Sequence, residues 1–299
     1  MNEFGPAAPL AATWNRFWFA PADPRPLAML RVGAASLGLF LLWSYAADIE
    51  AWFGPAGLLP ADTVAAWRGG SIASLFALAG TTGAVWLLFL LTAAAFVLLL
   101  VGVLPSVTSV ATAVLWASLL NRGPMLAGPA DDCLAVLLWC IAVGFAVRPG
   151  VGLGLVQVHA AVITAAAVLA QLKGDVWWNG TAAWWLAGRE GSRVVDLTGL
   201  LARSGLAMNA VTHAITAFEL LFAVGIWFAS MQRTVSRIGL VAWPLVGLFA
   251  GEPFWGLAMA LFALPGAMDL TLKRGDGPQV CLHGKPRLPA ELALAGSAR

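Results

Sequence analysis

Charge is what this chain has least of. Only 11% of its 299 residues are Asp, Glu, Lys or Arg, while 60% are hydrophobic; an ordinary soluble domain is about 25% charged. From Gly69 to Asn121 there is no charged residue at all. Folding that run in water would need a core larger than the chain is able to enclose, so lipid is the solvent it implies. The apolar runs do not alternate, which excludes a transmembrane barrel. A net charge of +2 without a basic stripe excludes a nucleic-acid surface. Cysteine is scarce, at three residues. Cys133 and Cys140 fall on one helical face but stand two turns, about 10 Å, apart, too far for a disulfide. Cys281 and His283 form an isolated C-x-H with no further ligands nearby, so no metal is expected. Gly150, Gly152 and Gly154 follow Pro149 with no strand before them, which dismisses a dinucleotide site. There is no P-loop and no Ser-His-Asp order.

What is present is a succession of apolar runs separated by breakers. They predict an all-α, polytopic integral membrane bundle of about eight transmembrane helices, near 27–47, 82–104, 106–121, 131–147, 152–172, 206–228, 235–251 and 253–271. Residues 50–80 and 174–204 are long enough to form short interfacial helices. Thr181 is expected as an N-cap there, with Trp184, Trp185 and Leu186 as the apolar side. The chain then divides into an N-terminal segment (1–26), a membrane domain (27–272) and a short mobile tail (273–299). With the N-terminus inside, inner segments hold eleven Lys and Arg against six outside. That asymmetry puts both termini in the cytoplasm and the Lys173–Trp185 stretch on the outer face of a cell membrane. The N-terminus shows no leader-type apolar region or cleavage site, so the first span is expected to serve as its own insertion signal.

Few polar residues lie within the spans, and each is costly enough to be weighed singly. His159 is predicted about 10 Å in from the inner start of its helix, and Glu219 about 15 Å from the inner end of the next. The two are expected at similar depth, facing the bundle interior, within reach of one another or of a shared partner. The alternatives are a structural hydrogen-bonded pair, or Glu219 held by Arg31, against a proton-handling or substrate-polarising role. His213, one turn after Asn209, reads as a helix-packing hydrogen bond. At the outer face Arg122 ends the third span, and Asp131 and Asp132 open the fourth. These carboxylates suit a helix N-terminus, and Arg122 is placed to pair with one of them. With Lys173 and Asp175 they form the candidate lining of an outward pocket, and Trp177 and Trp178 are further ligand-binding candidates.

In order along the chain stand Leu30-Arg31 opening the first span, GPAGLLP after it, NRGP then DD at 121–132, and QVH then KGDVWWNGTA at 157–182. FELLF at 218–222 and EPFWGLAM at 252–259 follow. In order and spacing this resembles the horizontally transferred transmembrane (HTTM) family, related to vitamin K-dependent gamma-carboxylase, over about residues 13–272. The resemblance implies a helical bundle with an extracytoplasmic-side site. It also implies a lysine at the outer end of a span acting as base toward a reduced quinone. The bacterial pattern reads Lys-Leu-x-Gly there, whereas this chain reads Gln171-Leu172-Lys173-Gly174. The family lysine position is thus Gln171. Lys173, two residues and about 200° around a helix, does not inherit the role without local unwinding. A histidine usual in the seventh span has no counterpart near Pro244, and no large lumenal domain is present. Glutamate carboxylation is therefore not expected.

Three function classes remain. The first is a membrane enzyme, or enzyme-derived protein, that holds a hydrophobic small molecule (a quinone or a lipid) in an outward-side pocket. The second is a non-enzymatic factor for peptide export, maturation or immunity. The third is a transporter, which predicts inverted repeats or broken helices. Catalytic candidates are His159, Glu219, Lys173 and Gln171; ligand-binding candidates are Arg31, Arg122, Asp131, Asp132, Trp177 and Trp178.

Overall fold

A computed structural model describes residues 7–70, 73–189 and 194–268. Among them the secondary structure is helical, with no strand. The helices run α1 (Ala7–Phe19), α2 (Arg25–Ala46), α3 (Ile49–Phe53), α4 (Ala61–Trp67), α5 (Thr82–Val101), α6 (Pro105–Arg122) and α7 (Pro129–Ala146). They continue with α8 (Pro149–Gln171), α9 (Asp175–Trp178), α10 (Ala182–Ala187), α11 (Thr198–Ala202), α12 (Gly205–Gly225), α13 (Ala229–Phe249) and α14 (Pro253–Ala267). Five of these, α2, α5, α7, α8 and α12, are long and apolar enough to cross a membrane. The other three expected spans fall on α6, α13 and α14, which are not among these five. The tail, with Cys281 and His283, lies outside the described residues.

Helix ends follow local chemistry. Proline opens α6, α7, α8 and α14, where its missing N–H costs nothing. The α5 helix stops at Gly102, which takes φ +88°. The carbonyls of Leu99 and Leu100 that this end leaves open are taken by Arg31, whose Nη1 donates to both. A cation at a helix C-terminus also meets the negative end of the dipole. Arg31 is thereby committed to α5 and not to Glu219, which corrects that alternative.

The main core gathers on α2, α5, α6, α7, α8 and α14, around Leu30, Ala34, Phe96, Trp116, Leu134, Leu137 and Met259, all buried. Two crossings are closed by glycine. A Cβ built on Gly152 of α8 would lie 2.5 Å from the Cα of Gly144 on α7. One on Gly256 of α14 would lie 2.6 Å from the Trp243 carbonyl oxygen on α13. Backbones approach this closely only where a glycine leaves out the side chain, the packing mode that small residues permit between membrane helices. Both buried cysteines, Cys133 and Cys140, are free thiols.

Candidate functional site

On α12, Thr212, Thr216 and Glu219 are four and three residues apart, so they share one helical face. That face meets the C-terminal end of α8 and the turn beyond it. Gln171 Nε2 donates to Glu219 Oε2 at 2.6 Å, and Thr216 Oγ1 donates to Gln171 Oε1 at 2.8 Å. One turn further, Thr212 Oγ1 donates to the Gly180 carbonyl at 2.9 Å and accepts from the Ala183 amide at 2.9 Å. Glu219 is 2% exposed and Gln171 9%. The result is a polar ladder inside an apolar bundle, each rung tying α12 to α8 or to the α9–α10 segment. Its price in desolvation is offset by hydrogen bonds that have no water competing for them.

His159 stands elsewhere. Its Nδ1 donates to the Leu155 carbonyl of its own helix at 2.8 Å and lies 3.8 Å from Cys140 Sγ on α7. Twelve residues separate it from Gln171, a rise of about 18 Å and a rotation of about 120°. The expected His159–Glu219 proximity is therefore corrected: His159 faces α7, and the partner of Glu219 is Gln171. His213 is exposed, and Asn209 Nδ2 donates to the Gly205 carbonyl of its own helix. Neither packs helices together as expected.

The remaining ligand-binding candidates also separate. Arg122 is 3% exposed and sits with its guanidinium carbon 5.4 Å from the Phe53 ring centre. Among the described residues it forms no ion pair with Asp131 or Asp132; Phe53 of the short helix α3 lies against it. Asp131 Oδ2 accepts from the Gly128 amide at 2.7 Å, capping α7, and from Tyr45 Oη at 3.2 Å. Asp132 and Lys173 are exposed. Trp178 is exposed, with Nε1 donating to the Leu172 carbonyl at 2.8 Å, so it closes the C-terminus of α8; Trp177 is half-buried. Thr181 does begin α10, but its Oγ1 donates to Asn179 Oδ1 rather than capping the helix. The side of α10 buried against the bundle is Ala182, Ala183 and Ala187, and Trp185 is exposed.

Beside the ladder, a groove of about 580 Å³ runs along the α8–α12 seam. Ala161, Ala165 and Ala223 make its floor shallow-walled; Leu172 and Leu220, the chain neighbours of Gln171 and Glu219, line it together with Trp227 and Phe228. Its surface is almost wholly apolar. The ladder went unread in the sequence, although the spacing Thr212-Thr216-Glu219 is a signal able to reveal it; the groove, lined by alanines on two helices, has none. No family model, curated protein or solved structure matches this chain.

Proposed function

We propose that this protein is an eight-span membrane bundle of the gamma-carboxylase-like HTTM family that holds a hydrophobic small molecule, a quinone or a lipid, in the α8–α12 groove. The observation that carries this reading is an apolar groove on the α8–α12 seam, lined by Leu172 and Leu220, the chain neighbours of the buried Gln171–Glu219 pair. Ligand sites are concave and mostly apolar, and a wall of this kind suits a hydrophobic tail. The tail lies against Ala161, Ala165 and Ala223, and the head points toward the outer end, where Lys173 and Trp178 lie. Copurified lipid, extracted and identified by mass spectrometry, should include an isoprenoid- or acyl-tailed species at near one per protein. Ala165→Phe should fill the groove and lower that yield at least tenfold; an unchanged yield would sink the proposal.

Orientation follows from the eleven-to-six charge asymmetry. With eight spans, both termini are cytoplasmic and α9–α10 are outside. A cysteine at Asn179, in a background lacking Cys281, should react with an impermeant external thiol reagent on intact cells. Reaction only after permeabilisation would reverse the topology.

One observation favours a non-enzymatic role as the second reading. Gln171, at the family's lysine position, engages both its amide nitrogen and its amide oxygen within the bundle. A residue so engaged has a structural use that does not require catalysis.

A further inference from the structure

A second cavity, of about 320 Å³, opens where the C-terminal end of α2 meets the N-termini of α7 and α14. Its walls include three acids, Asp48, Asp131 and Glu252, and three aromatics, Tyr45, Trp52 and Phe254. Two converging helix N-termini would ordinarily favour an anion. Here both already carry a carboxylate, Asp131 in the first turn of α7 and Glu252 as the N-cap residue of α14. Glu252 is in turn engaged by Arg189, at 3.7 Å. Asp131 is different. It is 6% exposed, and its Oδ2 is taken by Gly128 and Tyr45, yet its buried Oδ1 has no hydrogen-bond partner. A buried carboxylate oxygen is costly to leave unmet, and this one belongs to a residue that lines a cavity with aromatic walls.

We propose that this cavity binds an organic ammonium group, with Asp131 as counter-charge and Tyr45, Trp52 and Phe254 as the aromatic wall. Acid and aromatic faces together are the arrangement that attracts alkylammonium ions, through charge and through the ring quadrupole. A bare metal ion would want several oxygen ligands at once. Among the described residues no cluster of three or more His, Cys, Asp or Glu side chains is placed to hold one. The ammonium has two sources, a free small amine or the headgroup of a choline or ethanolamine lipid.

Full-length protein in phosphatidylglycerol nanodiscs should bind radiolabelled choline saturably. The neutral isostere 3,3-dimethyl-1-butanol should not compete. Asp131→Asn keeps an oxygen for the Gly128 amide but removes the charge, and should weaken choline binding at least tenfold; Trp52→Leu should weaken it several-fold. Repeating the titration in phosphatidylcholine nanodiscs separates the sources. Unchanged choline binding there assigns a free amine, and loss of it assigns the lipid headgroup. Absence of saturable binding in phosphatidylglycerol, equal competition by the neutral isostere, or full binding by Asp131→Asn would each overturn the proposal. The isostere comparison uses the unaltered protein, so it stands even if a variant does not fold.

Discussion

Replacing Gln171 by leucine should destabilise the bundle by about 2 kcal/mol, because it strips a buried carboxyl of its hydrogen-bond donor. Among the described residues Glu219 accepts from Gln171 and forms no ion pair, so nothing stands ready to take over. Glu219→Gln keeps a side chain able to accept from Gln171 and should stay within about 1 kcal/mol of the parent. The double variant Gln171→Leu, Glu219→Leu removes both partners together and should recover most of the loss. Recovery is expected because the cost lies in the orphaned group more than in the bond itself, which between membrane helices is worth only about 0.6 kcal/mol on average. A double-mutant cycle read by unfolding in mild detergent checks this. Additive losses in the double variant would show that the two side chains do not depend on one another.

In an assay with reduced vitamin K, carbonate and a glutamyl peptide, the protein should form no epoxide above background. The route implied by the family resemblance needs an amine base beside the quinone. At the matching place stands Gln171, a neutral amide that accepts no proton and is already engaged by Glu219 and Thr216. Lys173 is exposed beyond the end of α8. The turn that carries it is held by the Gly174 amide donating to the Gln171 carbonyl at 2.9 Å and by Trp178 on the Leu172 carbonyl. Swinging Lys173 inward would break both bonds. Epoxide formation that Lys173→Ala abolishes would refute this and would mean that the turn unwinds.

Helix positions were legible in the sequence because hydropathy and breakers act locally. Pro105, Pro129, Pro149 and Pro253 each open a helix close to where the runs begin. Hydropathy starts the seventh run at 235, yet α13 starts at Ala229. Its first turns carry Gln232 and Arg233, polar residues that a helix accepts and a hydropathy reading discards. Glu219 and Gln171 were both visible as unusual residues, but their pairing was not. Depth along a span says nothing of azimuth, and the 120° between His159 and Gln171 decides which neighbouring helix each one meets. Phe53 over Arg122 was hidden for another reason: it comes from a five-residue helix in a connection, with no periodicity to betray its direction.

The glycine crossings also bear on how the protein is made. Gly144 with Gly152, and Gly256 against the backbone at Trp243, join helices that follow one another directly in the chain. Contacts between sequence neighbours cost little loop entropy, so these hairpins zip as soon as their second helix emerges. The α8–α12 pair must wait for residues 172–204 to pass first. The groove thus lies on a seam that closes late in biosynthesis, after the glycine hairpin of α7 and α8 is already in place. An occupant that binds only the closed seam would then lower the fraction of newly made chains left unlatched, acting as an assembly factor in proportion to its concentration.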